Sequence, residues 1–305
     1  MNSGTVDRRS VVAAPALSRA HAPWFPYLAL AVGLAGLGLS AIFVKWANVP
    51  GAVSGFYRMV IAAGVMAIPF GIQVRRAPLS RRHILFAAVA GLFFAGDLTT
   101  WNTAVLVTNA ANATLFGNTS PFWVALGALV LFKEKLRPLF WGGLVLAMLG
   151  VTVILGEDLV AHPALGSGDL LALLGGFFYG MFLLATERAR DKLSSLVSWW
   201  ISAAVCTVVL LALGGLLRQP LTGYPREAYY SLIALALVTQ VIGWLAINYA
   251  LGHLPASVVS PTLLGQPVIT AIAAVPLLGQ ALSGVQIAGG ALVLVGIYIV
   301  HRSKG

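Results

Sequence analysis

The stretch Lys133-Glu134-Lys135-Leu136-Arg137 is strongly basic, and the stretch 146 residues later, Gly279-Gln280-Ala281-Leu282-Ser283, carries no charge. Both belong to a longer match, because residues 102–154 align without a gap on residues 248–300. An internal duplication of this length predicts two structural halves with the same fold. Basic loops are retained in the cytoplasm, so these two loops are expected on opposite sides of a membrane. The sequence therefore predicts two repeats that are inverted relative to each other.

The composition indicates a membrane protein. Hydrophobic residues make up 59% of the 305 residues and charged residues only 9%, and the mean hydropathy is +0.91. A soluble domain needs more charged residues to cover its surface. A helix needs about 20 apolar residues to cross the hydrocarbon layer. We predict an all-α integral membrane protein of ten transmembrane helices, in two inverted five-helix repeats, at residues 25–45, 51–70, 83–106, 110–132, 138–155, 168–186, 193–217, 228–251, 257–278 and 284–300.

The positions of the basic residues predict the orientation. With a cytoplasmic N-terminus, 15 of the 19 Lys and Arg residues fall in cytoplasmic tails and loops, three fall outside, and Arg58 lies within a span. This bias requires an even number of spans, so after five helices the second repeat must be inverted. We predict a multi-pass protein of the cytoplasmic (inner) membrane with both termini inside. The net charge of +10 is explained by this topology, so no nucleic-acid partner is expected.

The spans also define the domains. Residues 1–24 are polar and basic, and we expect a disordered cytoplasmic tail there rather than a cleaved signal peptide. Residues 25–155 form the first repeat, residues 156–301 the second, inverted repeat, and residues 302–305 a cytoplasmic tail. The single cysteine, Cys206, lies in an apolar span, so neither a disulfide nor thiol chemistry is predicted.

Only two charged residues lie well inside the predicted spans, Arg58 and Asp97. At a rise of 1.5 Å per residue both would lie roughly 10 to 13 Å below the outer ends of their helices, close enough to pair. One interpretation is a buried structural ion pair, or an arginine that extends towards the membrane surface. The other makes Arg58 an anchor for a substrate carboxylate, with Asp97 orienting it or carrying a coupled proton.

Polar side chains crowd against a proline in both the fourth and the ninth span. A proline breaks the regular helix and frees backbone carbonyls, and matched interruptions in two halves indicate a central transport site. The alternative is hydrogen bonding between helices. We consider cavity positions for Asn118 and Gln266, because each lies within three residues of Pro121 or Pro267. The crowded polar residues are Asn109, Asn112, Thr114, Asn118, Thr119 and Ser120, and Ser257, Ser260, Thr262, Gln266 and Thr270.

Three aromatic residues lie within spans rather than at the membrane interface: Trp101, Tyr179 and Trp244. Trp101 is next to Asn102, and Trp244 is one helical turn from both Gln240 and Asn248. Buried Trp and Tyr need a hydrogen-bond partner, which a solvated cavity can supply. The alternative for each is ordinary packing or membership of the interfacial aromatic belt.

Glycines recur in three spans, and small residues let helices approach closely. We interpret those of the fifth and tenth spans as packing surfaces between the repeats or between protomers. They are Gly33, Gly36 and Gly38 in the first span, Gly142, Gly143 and Gly150 in the fifth, and Gly289 and Gly296 in the tenth.

Ala104, the 109–113 stretch Asn-Ala-Ala-Asn-Ala, Pro121, the 131–134 loop Leu-Phe-Lys-Glu and the glycines at 142, 143 and 150 form a familiar pattern. The pattern resembles the repeat of the drug/metabolite transporter superfamily in its EamA branch, and the second half extends the likeness over the whole chain. The resemblance implies two inverted five-helix repeats around a cavity formed mainly by the first, third, fourth, sixth, eighth and ninth spans. Arg58 occupies the place of the family's basic residue, whereas Gln280 stands where many members carry a second Glu. Within the family the chain is most similar to the YddG-type bacterial exporters of aromatic and other neutral amino acids.

We therefore predict a secondary transporter that exports small amphiphilic metabolites, first of all aromatic and other neutral amino acids, by alternating access. The chain lacks the nucleotide-binding motif G-x-x-x-x-G-K-[ST], so gradients must drive it, and neither a cofactor nor a metal is expected. Its partners would be a small-molecule substrate and the lipid bilayer. The predicted substrate-binding residues are Trp101, Tyr179 and Trp244, for stacking, and Asn102, Asn118, Asn248 and Gln266, for polar groups.

Two other functions are considered. Proton-coupled efflux of cationic compounds depends on an embedded acid, and since the first span has none, only Asp97 could serve. An integral-membrane enzyme would need clustered acidic residues or histidines, but the five histidines are scattered, so we predict that the protein is not an enzyme.

Overall fold

The structure is a computed structural model that describes residues 24–75, 79–108, 110–156, 166–279 and 281–304. The ten predicted spans are confirmed as helices within these residues. Nine are long and apolar enough to cross a membrane, and the tenth, Pro138–Ile154, is a shorter apolar helix. They are α1 (Phe25–Ala47), α2 (Gly51–Val74), α3 (Arg81–Val107), α4 (Ala110–Gly117 and Ser120–Leu131), α5 (Pro138–Ile154), α6 (Ser167–Arg190), α7 (Ser195–Leu216), α8 (Arg226–Leu251), α9 (Ala256–Leu278) and α10 (Gly284–Lys304).

Some of the residues discussed in the sequence analysis are not among those that the structure describes. The N-terminal tail up to residue 23, Asn109 and Gln280 lie outside the described residues, as does the side chain of Asn102.

α4 and α9 are interrupted at equivalent places. α4 breaks after Gly117, and α9 consists of the segments Ala256–Leu263 and Gln266–Leu278. Pro121 and Pro267 lie in the first turn of the second segments, because a proline has no N–H for the preceding turn and its ring clashes with the carbonyl four residues earlier. The two breaks are 146 residues apart, so the matched interruptions predicted from the sequence are confirmed.

The crossing of α5 and α10 shows that the repeats are inverted. A Cβ atom on Gly143 would lie 2.8 Å from the carbonyl oxygen of Gly296, and one on Gly150 would lie 2.7 Å from that of Gly289. Gly143 and Gly289 are equivalent, as are Gly150 and Gly296, so the contact is reciprocal. Gly143 contacts Gly296, and the later Gly150 contacts the earlier Gly289, so the two helices run antiparallel. A two-fold axis that exchanges antiparallel membrane helices lies in the membrane plane and inverts one repeat relative to the other.

The variant Gly143→Ala is expected to destabilise the purified protein by about 1–3 kcal/mol, because overpacking at a backbone contact forces the helices apart. Gly142→Ala is the matched control, since nothing lies within 4 Å of a Cβ atom there and alanine favours a helix by up to about 1 kcal/mol over glycine. Melting curves of both variants provide the measurement. A melting temperature of Gly143→Ala at or above that of the wild type would contradict the close crossing.

The first helix of each repeat packs against the other repeat. α1 contacts α8 and α9, and α6 contacts α3 and α4. These sets are called the α1–α8–α9 unit and the α3–α4–α6 unit. The glycine contacts that hold them are Gly33 with Ile247 and Gly38 with Ile269 in one unit, and Gly175 with Trp101 and Gly180 with Trp123 in the other. The contacted residues are 146 positions apart, but the glycines are 142 apart, so the duplication extends to α1 and α6 with a different offset.

α8 contains a π-helix, Leu235–Gly243, whereas its equivalent α3 is α-helical throughout. After the π-helix, buried residues match at an offset of 146, as in Ala104 and Ala250. Up to Leu237, which lies within the π-helix, the offset is 145. The matched residues there are Leu85 (63% exposed) with Tyr230 (68%), Leu92 (52%) with Leu237 (37%), and the buried pairs Ala87 with Leu232 and Ala90 with Leu235. The second repeat therefore carries one inserted residue between Leu237 and Trp244, and the π-helix absorbs it.

Candidate functional site

An aromatic cluster surrounds Trp244, which is only 2% exposed. Its ring centroid lies 5.0 Å from that of Phe182, 5.1 Å from Phe94, 5.6 Å from Trp199 and 5.9 Å from Tyr179. These residues come from α3, α6, α7 and α8, so the cluster lies where the two units meet. The structure thus brings together two of the predicted aromatic residues, Tyr179 and Trp244.

The third predicted aromatic residue, Trp101, lies beside the break in α4. A Cβ atom on Gly117 would lie 3.0 Å from its ring, and one on Gly175 of α6 would lie 3.5 Å from its Cβ. Trp101 is half-buried and packs within the α3–α4–α6 unit. It is therefore positioned to respond to any change at the helix break.

Next to the aromatic cluster, the guanidinium of Arg58 contacts the side-chain oxygen of Gln240 through its Nε and one terminal nitrogen, with the amide oriented so that both groups have a partner. Asp97, Cys206 and Tyr179 lie within electrostatic reach of Arg58. A direct ion pair between Arg58 and Asp97 is absent from the described residues. The closest partner of this half-buried cation is thus a neutral amide.

Gln240 belongs to this candidate site but was not among the site residues predicted from the sequence. It is fully buried in the π-helix, and its backbone oxygen accepts a 2.8 Å hydrogen bond from the Trp199 indole. A glutamine in the middle of an apolar span was the available signal.

Gln266 follows the break in α9 and lies beside Tyr179. The Tyr179 hydroxyl is near the Gln266 side chain, but it forms no hydrogen bond to the described residues. The hydroxyl of Thr270 donates to the Gly38 carbonyl at 2.6 Å and also contacts the Gln266 carbonyl at 3.0 Å. These bonds fix the break of α9 against α1, and the Gln266 side chain lies near Tyr179.

Several buried polar atoms lack a protein partner among the described residues. They include the hydroxyl of Tyr179, Nε1 of Trp244 and Oδ1 of Asn248. A buried polar group without a hydrogen bond costs roughly 1–3 kcal/mol, so several such groups in one region indicate a place for water or a polar ligand. These three residues were all predicted as substrate-binding.

The predicted asparagines differ in their surroundings. Asn248 donates to the Trp244 carbonyl at 3.1 Å, while its own side-chain oxygen is one of the atoms without a partner. Asn118 donates to the Thr114 carbonyl at 2.9 Å, one turn earlier in the same helix. Its amide therefore satisfies a carbonyl at the end of the first α4 segment.

A sequence model of the EamA-like transporter family matches residues 24–156 and, a second time, residues 166–302. The chain belongs to this family. The resemblance found in the sequence is thereby confirmed, and each match spans one five-helix repeat. Membership of this family and the apolar helices together identify the chain as a multi-pass membrane protein.

Similar proteins include transporters named for amino acids. A probable amino-acid metabolite efflux pump from Salmonella typhimurium is 30% identical over 190 residues, 58% of this chain and 62% of that protein. The protein of that name from Escherichia coli is 27% identical with the same coverage, so the matches span about three fifths of both pumps. A probable terminal-alkyne amino-acid exporter from Streptantibioticus cattleyicolor is 22% identical and covers 90% of this chain and 88% of that protein. These names point to a transporter of small molecules rather than an enzyme.

A solved crystal structure shares the fold. It is 17% identical in sequence and superposes with a TM-score of 0.75, over 91% of this chain and 97% of that chain. The two-repeat EamA fold is therefore supported by both sequence and structure.

Proposed function

We propose that this EamA-like transporter is a secondary transporter that exports amino acids, in particular aromatic and other neutral ones. It works by alternating access between the α1–α8–α9 unit and the α3–α4–α6 unit. The observation that carries this proposal is the state of Arg58, a half-buried cation whose nearest partner is the neutral side chain of Gln240. A carboxylate satisfies a guanidinium better than an amide does. An incoming substrate carboxylate can therefore displace Gln240 from Arg58.

The surroundings of Arg58 suit the rest of an amino acid. Asp97 is within electrostatic reach of Arg58 but does not pair with it, so its carboxylate is available to a substrate ammonium or a coupled proton. Trp244 and Tyr179 offer aromatic surface for an apolar side chain. Gln266 offers an amide, and Asn248 an unsatisfied oxygen. A zwitterion with an apolar side chain matches these three kinds of group.

The other proposed residues act at the edge of this site. Trp101 and Asn118 flank the break in α4, where they would transmit substrate binding to the helix, and Asn102 lies next to Trp101. With the basic loops in the cytoplasm, both termini are cytoplasmic and the protein resides in the inner membrane. The names of the amino-acid efflux relatives support the direction of transport.

One observation favours a second candidate function. Asp97 is a membrane-embedded acid without a direct ion pair in the described part of the chain, as proton-coupled efflux of cationic compounds would require. In that case Asp97 would bind the cation and exchange it for a proton.

The experiment is counterflow of radiolabelled amino acids in proteoliposomes. Wild type, Trp101→Ala and Gln266→Ala are compared, and Trp46→Ala is the control, since Trp46 is an exposed residue near the end of α1. We expect saturable counterflow of neutral amino acids that is reduced at least about tenfold in the two site variants and preserved in the control. Absence of counterflow for every amino acid, with Asp97-dependent uptake of a cationic dye driven by a proton gradient, would establish the second candidate instead.

A further inference from the structure

The turn between α8 and α9 is held by three charged side chains of the opposite unit. Glu134, just after α4, accepts a 2.7 Å hydrogen bond from the Ser257 hydroxyl through Oε2. Glu187 of α6 accepts a 3.0 Å hydrogen bond from the Ala256 backbone N–H. Arg190 of α6 donates from Nε to the Asn248 carbonyl at 2.6 Å. We call Glu134, Glu187 and Arg190 the turn latch.

The charges of the turn latch match the helix ends that they contact. The last carbonyls of a helix carry a partial negative charge, and its first N–H groups carry a partial positive charge. Arg190 lies at the C-terminal end of α8, and the two glutamates lie at the N-terminal end of α9. Hydrogen bonds with a charged partner are about twice as strong as neutral ones. The latch therefore ties the α3–α4–α6 unit to the α1–α8–α9 unit at this end of the molecule.

The equivalent turn, between α3 and α4 at the other end, lacks these charges. The offset of 142 that relates α1 to α6 assigns Glu187 to Lys45 and Arg190 to Asn48. The offset of 146 assigns Glu134 to Gln280. Two carboxylates are thus replaced by a cation and an amide, and the guanidinium by an amide. The two turns, which the internal repeat makes equivalent, therefore differ in their charged contacts.

We propose that the turn latch holds this end of the transporter closed, so that the empty protein is biased towards opening at the other end. By the proposed topology the latched end is cytoplasmic, and the inference rests on the proposed alternating access. Each transport cycle would then break the Glu134, Glu187 and Arg190 contacts when the two units separate at this end. The latch sets the population of the two states without touching the substrate.

The test measures access to Ser260, which is buried one turn beyond Ser257 in α9. In a Cys206→Ala background, which removes the single native cysteine, Ser260→Cys is labelled by a membrane-impermeant maleimide from the side of the turn. A hydrogen bond with a charged group shifts a two-state equilibrium by about tenfold or more. We therefore expect Glu134→Gln with Glu187→Gln to raise the labelling rate about tenfold, and each single variant to raise it less.

Two controls make the result specific. Asp191→Asn removes a carboxylate at the same end, but Asp191 pairs at 3.7 Å with Arg188, three residues earlier, so labelling should not change. Lys192→Cys, at an exposed position, gives the rate for full access from that side. If the glutamate variants do not fold, Ser257→Ala removes the donor to Glu134 and should raise labelling in the same direction.

An unchanged labelling rate in the folded double variant would overturn the latch, and so would an equal rise in Asp191→Asn. The measurement needs no substrate. Failure of amino-acid counterflow would contradict the proposed function and leave the labelling result intact, while unchanged labelling with normal counterflow would contradict the latch alone.

Discussion

Arg58→Gln is expected to raise the substrate concentration for half-maximal counterflow at least about 30-fold. Truncating one member of a buried, hydrogen-bonded charge pair costs roughly 2–5 kcal/mol, and 1.4 kcal/mol corresponds to about tenfold in affinity. The reason is specific to this site, because the neutral Gln240 leaves the charge of Arg58 for the substrate carboxylate. Counterflow over a range of amino-acid concentrations gives the value.

Two variants separate a binding role from a structural one. Arg58→Lys keeps the charge but loses the planar fork of donors, so an intermediate affinity is expected. Arg226→Gln, at an exposed position at the start of α8, should leave counterflow unchanged. If Arg58 is only structural, Arg58→Gln will lower the melting temperature while the folded fraction keeps the wild-type half-saturation, and that outcome would contradict the proposed carboxylate site.

Deletion of Val238 is expected to reduce counterflow at least about tenfold and to preserve the fold. The deletion removes the residue that α8 has in excess of α3 between the matched positions, so the π-helix can become an α-helix while the residues before and after it keep their buried faces. The change alters the turn that carries Gln240 and the Thr239 hydroxyl, which donates to the Gly36 carbonyl at 3.2 Å. π-helical turns inside α-helices are frequent at functional sites. Melting temperature and counterflow of the deletion variant give the two readouts.

The matched control is deletion of Leu92, the residue of α3 that corresponds to Leu237. α3 has no π-helix to absorb the change, so this deletion rotates half of the helix by about 100° and should prevent folding. If the Val238 deletion also unfolds the protein, the insertion is not an isolated feature of α8. If it folds and transports normally, the π-helix has no part in the site.

Much of the fold could be predicted because its signals are local. Apolar runs of membrane length give the ten helices, and Pro121 and Pro267 give the breaks in α4 and α9. The uninterrupted offset of 146 with the unequal charge of the two loops gives the inverted repeats. The packing of α1 and α6 against the opposite repeat could not be predicted in this way. These two helices are related by a different offset, and their contacts join distant parts of the chain.

The site was only partly predictable for related reasons. Trp244 and Tyr179 could be selected as candidates because aromatic residues that carry a polar group are unusual within spans. The contact of Arg58 with Gln240 could not be predicted. The depth of Arg58 in the membrane is equally compatible with a contact to Asp97, and depth alone does not give the direction of a side chain. The π-helix has no sequence signal of its own in the stretch Leu235–Gly243, and only comparison with α3 shows the inserted residue.

The most direct test of the central claim compares an amino acid with its decarboxylated analogue. Unlabelled phenylalanine and 2-phenylethylamine, which share the aromatic ring and the ammonium group, compete for counterflow of labelled phenylalanine in proteoliposomes. If the substrate carboxylate binds Arg58, phenylalanine competes at least about 30-fold more strongly in the wild type, and the difference disappears in Arg58→Gln. Equal or stronger competition by the amine in the wild type would contradict the account and favour transport of cations at Asp97.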